Sequence, residues 1–321
     1  MNRHALSQEN ISYDDEIDLK ELFNVLRKSK ILIIAITSFF SLSSVLYALS
    51  LTNFYKSEAT LSVAEESTNA LRALSGMGGL ASMAGITLPS SGEDKSAIAI
   101  KTIQSRAFLK HLITFENVLP SLMASKSYDF ESKKIQFDPK IYNENNEEWV
   151  RKPGKNQQSK PSYLEAFCCD DNTYLNQVSI FRDKKTNLIT ISVEHISPIF
   201  AKEFLELMIN EANELLRNRD LQESSAAIAF LNTEIPKASL IEMKDAINLL
   251  LQSQLQKQML AKVNKEYFLK VIEPPFIPEV KSKPFRALIC IYGTLLGGML
   301  AMLWVLLRHY ISGRLKSDLN T

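Results

Sequence analysis

The two ends of the chain decide what it can fold into. Residues 31–51 read ILIIAITSFFSLSSVLYALSL and residues 287–307 read ALICIYGTLLGGMLAMLWVLL, and neither run carries a charge. A helix of about 20 apolar residues crosses a bilayer, so each run is long enough to span. Signal peptides begin with a short basic segment. Here thirty residues precede the first run, among them Asp14, Asp15, Glu16 and Asp18, so the run reads as an uncleaved span. A buried core helix is the alternative for the second run, but it is longer without a charge than core helices usually are.

Orientation follows from Lys and Arg close to the spans. Lys20, Arg27, Lys28 and Lys30 precede the first span, and only Lys56 follows within the next twenty residues. This places residues 1–30 in the cytoplasm. The second span has Lys281, Lys283 and Arg286 before it and Arg308, Arg314 and Lys316 after it. Two crossings return the tail, 308–321, to the cytoplasm. Residues 52–286 then lie outside, enough for a hydrophobic core.

Net charge over the 321 residues is +1, which offers no bulk attraction for nucleic acid. The chain has three cysteines, too few for a disulfide framework. Cys290 lies in the second span, and Cys168 and Cys169 are adjacent, so packing is their expected role. No metal or other cofactor is expected.

Directly after the first span, YKSEATLSV (55–63) alternates Tyr55, Ser57, Ala59, Leu61 and Val63 with more polar residues, the pattern of a half-buried strand. The next stretch, 74–92, holds five of the ten glycines, including Gly76, Gly78, Gly79 and Gly85. It lacks the Lys and hydroxyl of a phosphate-binding loop. It reads as a flexible apolar loop, or as a small-residue surface where chains pack. Residues 93–117 read as one helix capped by Ser91 or Asp94, and 139–161 as a polar surface loop. Residues 178–182 and 188–194 flank DKKTN as a hairpin.

Ser197-Pro198 is a helix start. Phe200, Phe204, Met208, Ala212 and Leu215 then keep helical spacing, with Pro236 as an interruption before a second, glutamine-rich helical stretch, 238–266. These pieces are roughly 55 and 45 Å long. The strand after the first span and the β-like run 267–273 are natural sheet partners closing a base domain. The two long helices are expected to project as an up-and-return pair, with a single kinked helix as the rival geometry.

VIEPPFIPEVKSKPFR (271–286) then carries Pro274, Pro275, Pro278 and Pro284, four of the eleven prolines. Proline lacks the ladder N–H and favours an extended, semi-rigid path, so the stretch reads as a membrane-proximal strut. In the second span, Gly293 and Gly297 form a G-x-x-x-G that would let two helices approach closely.

Chemistry-bearing motifs are missing. There is no G-x-S-x-G, Walker loop, H-E-x-x-H or C-x-x-C. His4, His111, His195 and His309 are scattered. With only 308–321 after the second span, a sensor with cytoplasmic output is disfavoured. Binding or scaffolding is favoured over catalysis, and no catalytic residue is assigned.

Five blocks in order resemble the Wzz-type chain-length determinants, the polysaccharide co-polymerases of the bacterial inner membrane. They are DEIDLKELFNVLRKSKILII running into the span and YKSEATLSV; IQSRAFLKHLI (103–113); EEWVRKPGKNQQSKPSYLEAF (147–167); LITISVEHISPIFAKEFLELMINEAN (188–213); and YFLKVIEPPFIPEVKSKPFRALI (267–289). The resemblance implies an α+β membrane protein of the short class without a tyrosine kinase domain. Two transmembrane helices would flank a periplasmic α/β base, 52–196, with a long projecting helical hairpin, 197–266. A returning strand and strut, 267–286, would lead to the second span. It further implies a homo-oligomeric ring in contact with membrane lipids, and a non-catalytic role. That role is setting the modal length of O-antigen or a related glycan made on a lipid carrier by a Wzy-type polymerase. The alternatives are an adaptor for a separate tyrosine kinase in polysaccharide export and a membrane-anchored glycan-processing enzyme.

Overall fold

The computed structural model describes residues 25–63, 95–154, 157–167, 173–237 and 240–318. These fall into two units. One comprises Met1–Leu51 with Pro284–Thr321, and the other Thr52–Lys283.

The Thr52–Lys283 unit is built on a four-stranded antiparallel sheet of order β6-β7-β1-β8. Strand β1 (Tyr55–Val63) follows the first apolar run. On one edge it pairs with β7 (Ile189–His195), with Tyr55 opposite His195 and Leu61 opposite Ile189. On the other it pairs with β8 (Leu269–Glu273), with Leu61 opposite Val271 and Val63 opposite Leu269. The expected partnership of the first and last outer strands is thus a ladder. β6 (Val178–Arg182) and β7 form the hairpin legible around DKKTN. The alternation in β1 has the expected consequence: Tyr55, Ser57, Ala59 and Leu61 are buried while Lys56, Glu58 and Thr60 are partly exposed.

The buried face of the sheet is covered by α7 (Pro198–Glu234). Ser197 starts this helix as an N-cap, its Oγ accepting from the Phe200 N–H at 3.2 Å, and Pro198 takes the first turn, where an N–H is not needed. Ala201, Phe204, Leu205, Met208, Ala212 and Leu216 are buried along one stripe. Burying each large apolar side chain stabilises the fold by about 1.5–3 kcal/mol, so truncating Phe204 to Ala would cost about 3–5 kcal/mol. The apolar part of the stripe ends on Leu216, and buried Asp220 and Ser224 continue it at four-residue steps; Leu215, which the expected spacing included, is exposed.

A 3₁₀ turn, Ile235–Lys237, ends α7 at Pro236, whose ring removes a helical N–H. Helix α8 (Ile241–Val263) then runs back along α7. Gln258 Nε2 donates to Ser225 Oγ at 2.9 Å, and Lys257 Nζ lies 3.3 Å from Asp220 Oδ1. Of the two geometries open from sequence, this is the returning pair. On α8 only Ala261 is fully buried among the side chains described.

Residues expected to form one helix divide instead into α2 (Lys95–Ile103) and α3 (Arg106–Leu112). Ser105 takes an extended conformation between them and caps α3, accepting from the Phe108 N–H at 3.1 Å. The break lets Ile103, Phe108, Leu109 and Leu112 all reach the core. Residues 93 and 94 lie outside the described residues. Helix α4 (Val118–Ala124) leads into a second small hairpin, β2 (Ser125–Asp129) with β3 (Lys134–Phe137). The polar stretch expected to be wholly loop contains a two-residue strand pair, β4 (Tyr142–Asn143) and β5 (Glu148–Trp149), joined by a Tyr142–Trp149 ring contact. The short helices α5 (Tyr163–Phe167) and α6 (Tyr174–Gln177) complete this layer.

The other unit consists of α1 (Lys30–Ser50) and α9 (Arg286–Asp318). A core helix is mostly buried. In the apolar windows of these two, 6% and 17% of residues are buried, with mean hydropathy 2.1 and 2.0. Ile31, Phe39, Leu42, Leu295 and Trp304 are all exposed. In water so much apolar surface would be costly, so both helices are candidate membrane spans.

Candidate functional site

The proline-rich stretch lies along an edge of the sheet. Strand β8 ends at Glu273, opposite Thr60. The prolines that follow cannot donate to a ladder, so regular pairing stops there. Contact with β1 nevertheless continues. Ser57 Oγ donates to the Phe276 carbonyl at 2.7 Å. The Ser282 N–H donates to the Phe54 carbonyl at 2.8 Å, and the Phe54 N–H donates to the Lys283 carbonyl at 3.0 Å. Pro275 and Pro278 are buried, Pro284 is half-buried and Pro274 is exposed.

Glu194, on β7, closes this clamp. Its carboxylate accepts from Lys283 Nζ at 2.6 Å and from Ser282 Oγ. Burial pushes the Glu194 carboxyl upward, but the hydrogen bonds from Lys283 and Ser282, with the charges of Lys283 and Lys56, outweigh it and hold the group below its ordinary range. Neither Glu194 nor Ser57 stands out in the sequence as anything but a strand residue.

In the unit of apolar helices, Gly293 lies against Ser44 and Gly297 against Phe40, so close that a Cβ at either glycine would fall within 3 Å of its neighbour; a Cβ at Gly298 would lie 3.9 Å from Thr37 Oγ1. As residue number rises in α9 it falls in α1, so the two run antiparallel. Ala301 and Val305 continue the glycine row at four-residue steps and are buried, as is Ala48 on α1. Small side chains along one row bring helix backbones close, which is how helices associate where water supplies no driving force. The contribution of Ser44 was hidden because a serine in an apolar run is common in such helices.

Among the described residues the titratable groups sit in separate pairs and in one cluster where Lys257 and Tyr267 meet Asp220. His111 Nε2 is 2.6 Å from Glu211 Oε2 at a half-exposed surface. His195 is buried: its Nδ1 accepts from the Ser197 N–H at 3.0 Å, so its Nε2 carries the proton and donates to the Ser121 carbonyl at 2.9 Å. Burial pushes its pKa down to about 4, leaving a neutral structural imidazole. Arg151 grips Glu165 through both terminal nitrogens, at 2.5 and 2.9 Å, and donates to the Gln158 and Ser159 carbonyls at 2.8 Å. It fixes a loop; hydrogen bonding from Arg151 holds the Glu165 carboxyl below its ordinary range. Among the described residues, no three His, Cys, Asp or Glu side chains come together in a group that could hold a metal ion. Gly76, Gly78, Gly79 and Gly85, and Cys168 and Cys169, lie outside the described residues.

The polar link that sequence reasoning missed is Asn213 on α7. Its Oδ1 accepts from the Phe268 and Leu269 N–H groups at 3.1 and 2.7 Å, and its Nδ2 donates to the Leu269 carbonyl at 2.8 Å. An asparagine directly after Ala212 of the apolar stripe was the available signal, one of several on this helix.

Residues 15–115 match the family model of the Wzz chain length determinant protein. Over that segment the chain is similar to the Wzz family. The matched segment contains α1, β1, α2 and α3, that is, the first candidate span and a central strand of the sheet. The match supports a chain-length-determining role in general terms. A solved structure described as a full-length bacterial polysaccharide co-polymerase is similar to this chain. It is 12% identical, covers 92% of this chain and 99% of its own, and has a TM-score of 0.39, too slight a likeness to place any residue. No curated protein matches the chain.

Proposed function

We propose that this protein regulates, without catalysis of its own, the modal length of O-antigen or a related surface polysaccharide. In this reading it is an oligomeric scaffold for a Wzy-type polymerase and the growing lipid-linked glycan. It crosses the bacterial inner membrane twice with both termini in the cytoplasm. Residues 52–196 form the periplasmic base, 197–266 the helical hairpin, and 267–286 the returning strand and strut, between spans at 31–51 and 287–307. The observation that carries the proposal is the Wzz match over residues 15–115, which includes a candidate span and the strand that organises the sheet.

Within this reading, Pro274, Pro275, Pro278 and Pro284 act as the membrane-proximal motif, and Gly293 with Gly297 packs the spans. Gly76, Gly78, Gly79 and Gly85 contribute to contacts between subunits. The clamp on Glu194 supports the first of these roles, because a pinned segment passes a fixed geometry along the chain where a free tether would not. Deleting the gene in a strain with no second determinant tests the proposal. The glycan ladder on a gel should broaden or shift its mode, and an unchanged ladder would refute the role.

A further inference from the structure

The turn between β2 and β3 presents an aromatic side chain to the outside. Phe130 is 60% exposed. Such exposure of one residue is ordinary; its setting is not. Asp129 rigidifies the turn, its two carboxylate oxygens accepting from the Glu131 N–H at 3.0 Å and from Ser132 Oγ at 2.8 Å. Lys133 follows in the left-handed conformation, with φ 54°. Lys133 and Lys134 are exposed in the same turn, as is Glu131. The Phe130 ring packs edge-on against Tyr128, with centroids 4.9 Å apart, and against Tyr55 at 5.8 Å.

Tyr55 ties this turn to the ends of the chain. Only Thr52, Asn53 and Phe54 separate it from Leu51, the last residue of the first apolar run. A residue spans at most about 3.6 Å of extended chain, so Tyr55 lies no more than about 15 Å along the backbone from that run. The return path is as short: Lys283 is bridged to Phe54 and stands three positions before Arg286, the first residue of α9. Polar headgroup layers occupy roughly 5–8 Å on each side of the hydrocarbon core. An exposed aromatic ring with lysines in the same turn suits that layer, where an apolar body and a charged tip are both satisfied.

We infer that the β2–β3 turn is a third membrane anchor, in which Phe130 enters the lipid headgroup interface and Lys133 and Lys134 engage lipid phosphates. The inference rests on α1 and α9 being membrane spans. It makes the small hairpin a lipid-contacting device on the same unit that carries the Glu194 clamp.

The test uses the full chain reconstituted in bilayer discs, in three versions with one tryptophan each. The first keeps native Trp304, with Trp149→Phe. The second adds Phe130→Trp to Trp149→Phe and Trp304→Phe. The third replaces Phe130→Trp with Phe181→Trp, at an exposed aromatic on β6. Brominated lipid quenches indoles that touch it. The expected result is loss of emission for Trp304 and for the tryptophan at 130, with none at 181. Trp304 quenched with position 130 unquenched would overturn the anchor and leave the spans standing. Emission at 130 that is blue-shifted but unaffected by bromine would also overturn it, showing a second copy of the chain over the turn instead. An unquenched Trp304 would overturn the membrane reading itself, and the anchor with it.

Discussion

Asn213 brackets Leu269: it accepts from the Leu269 N–H at 2.7 Å and donates to the Leu269 carbonyl at 2.8 Å. One side chain on the long helix thereby satisfies the backbone at the point where the chain re-enters the sheet as β8. Tyr267 adds a second tie, its hydroxyl donating to buried Asp220 at 3.0 Å. A returning helix that is mostly exposed is thus anchored at its foot by polar bonds.

Asn213→Leu removes these bonds and leaves buried backbone groups of Phe268 and Leu269 unpaired. Each such group costs about 1–3 kcal/mol, so a loss of about 3 kcal/mol is expected. Thermal unfolding of the full chain in detergent should show a clear drop in Tm. Asn213→Asp, which can accept but not donate, should fall between the variant and the native chain.

Acid should weaken the base through His195. Its folded pKa is lowered from 6.5 to about 4, so between those values the unfolded chain binds the extra proton. Stability is therefore fully present above about pH 6.5 and falls as pH drops toward 4. The loss is about 3 kcal/mol over that range. His195→Gln keeps a donor for the Ser121 carbonyl and cannot titrate there. It should be less stable at pH 7, with a flatter profile between pH 6.5 and 4. Glu194, whose pKa is also lowered, contributes stability that is lost only as pH falls below the ordinary carboxylate range.

These interactions show where sequence reading succeeds and where it stops. The β1 alternation, the Ser197-Pro198 start and the pairing of β1 with β8 follow from period, capping chemistry and chain geometry, all local or nearly so. The break at Ser105 was invisible because apolar spacing continues across it; only the tertiary need to bury Ile103 and Phe108 together selects a cap over a helical turn. The Tyr142–Trp149 pair was hidden by the polar residues around it. The proline stretch read as a strut on backbone grounds. That Glu194 and Ser57 hold it depends on contacts between residues far apart in sequence.

Gly297→Val should strain the pairing of the apolar helices, since any Cβ there meets Phe40. Overpacking of this kind costs about 1–3 kcal/mol. Gly298→Ala has ordinary contact distance to Thr37 and serves as the control. Tm in bilayer discs should fall for the first variant and hold for the second.

Loosening the clamp should expose the proline stretch. Glu194→Gln weakens the bond to Lys283, and trypsin should then cleave after Lys281 faster than in the native chain. Replacing Pro274, Pro275, Pro278 and Pro284 together by Ala should leave the protein in the membrane but disturb the glycan length distribution. The buried pair, Pro275 and Pro278, should account for most of that effect, with Pro274→Ala alone close to native.

The most direct measurement combines purified protein, a Wzy-type polymerase and lipid-linked repeat units, and reads the product length distribution on a gel. The account predicts that adding this chain to the polymerase shifts and narrows the distribution, while the chain alone leaves preformed glycan unchanged. Shortening of the glycan without polymerase, or an identical distribution with and without the chain, would contradict it.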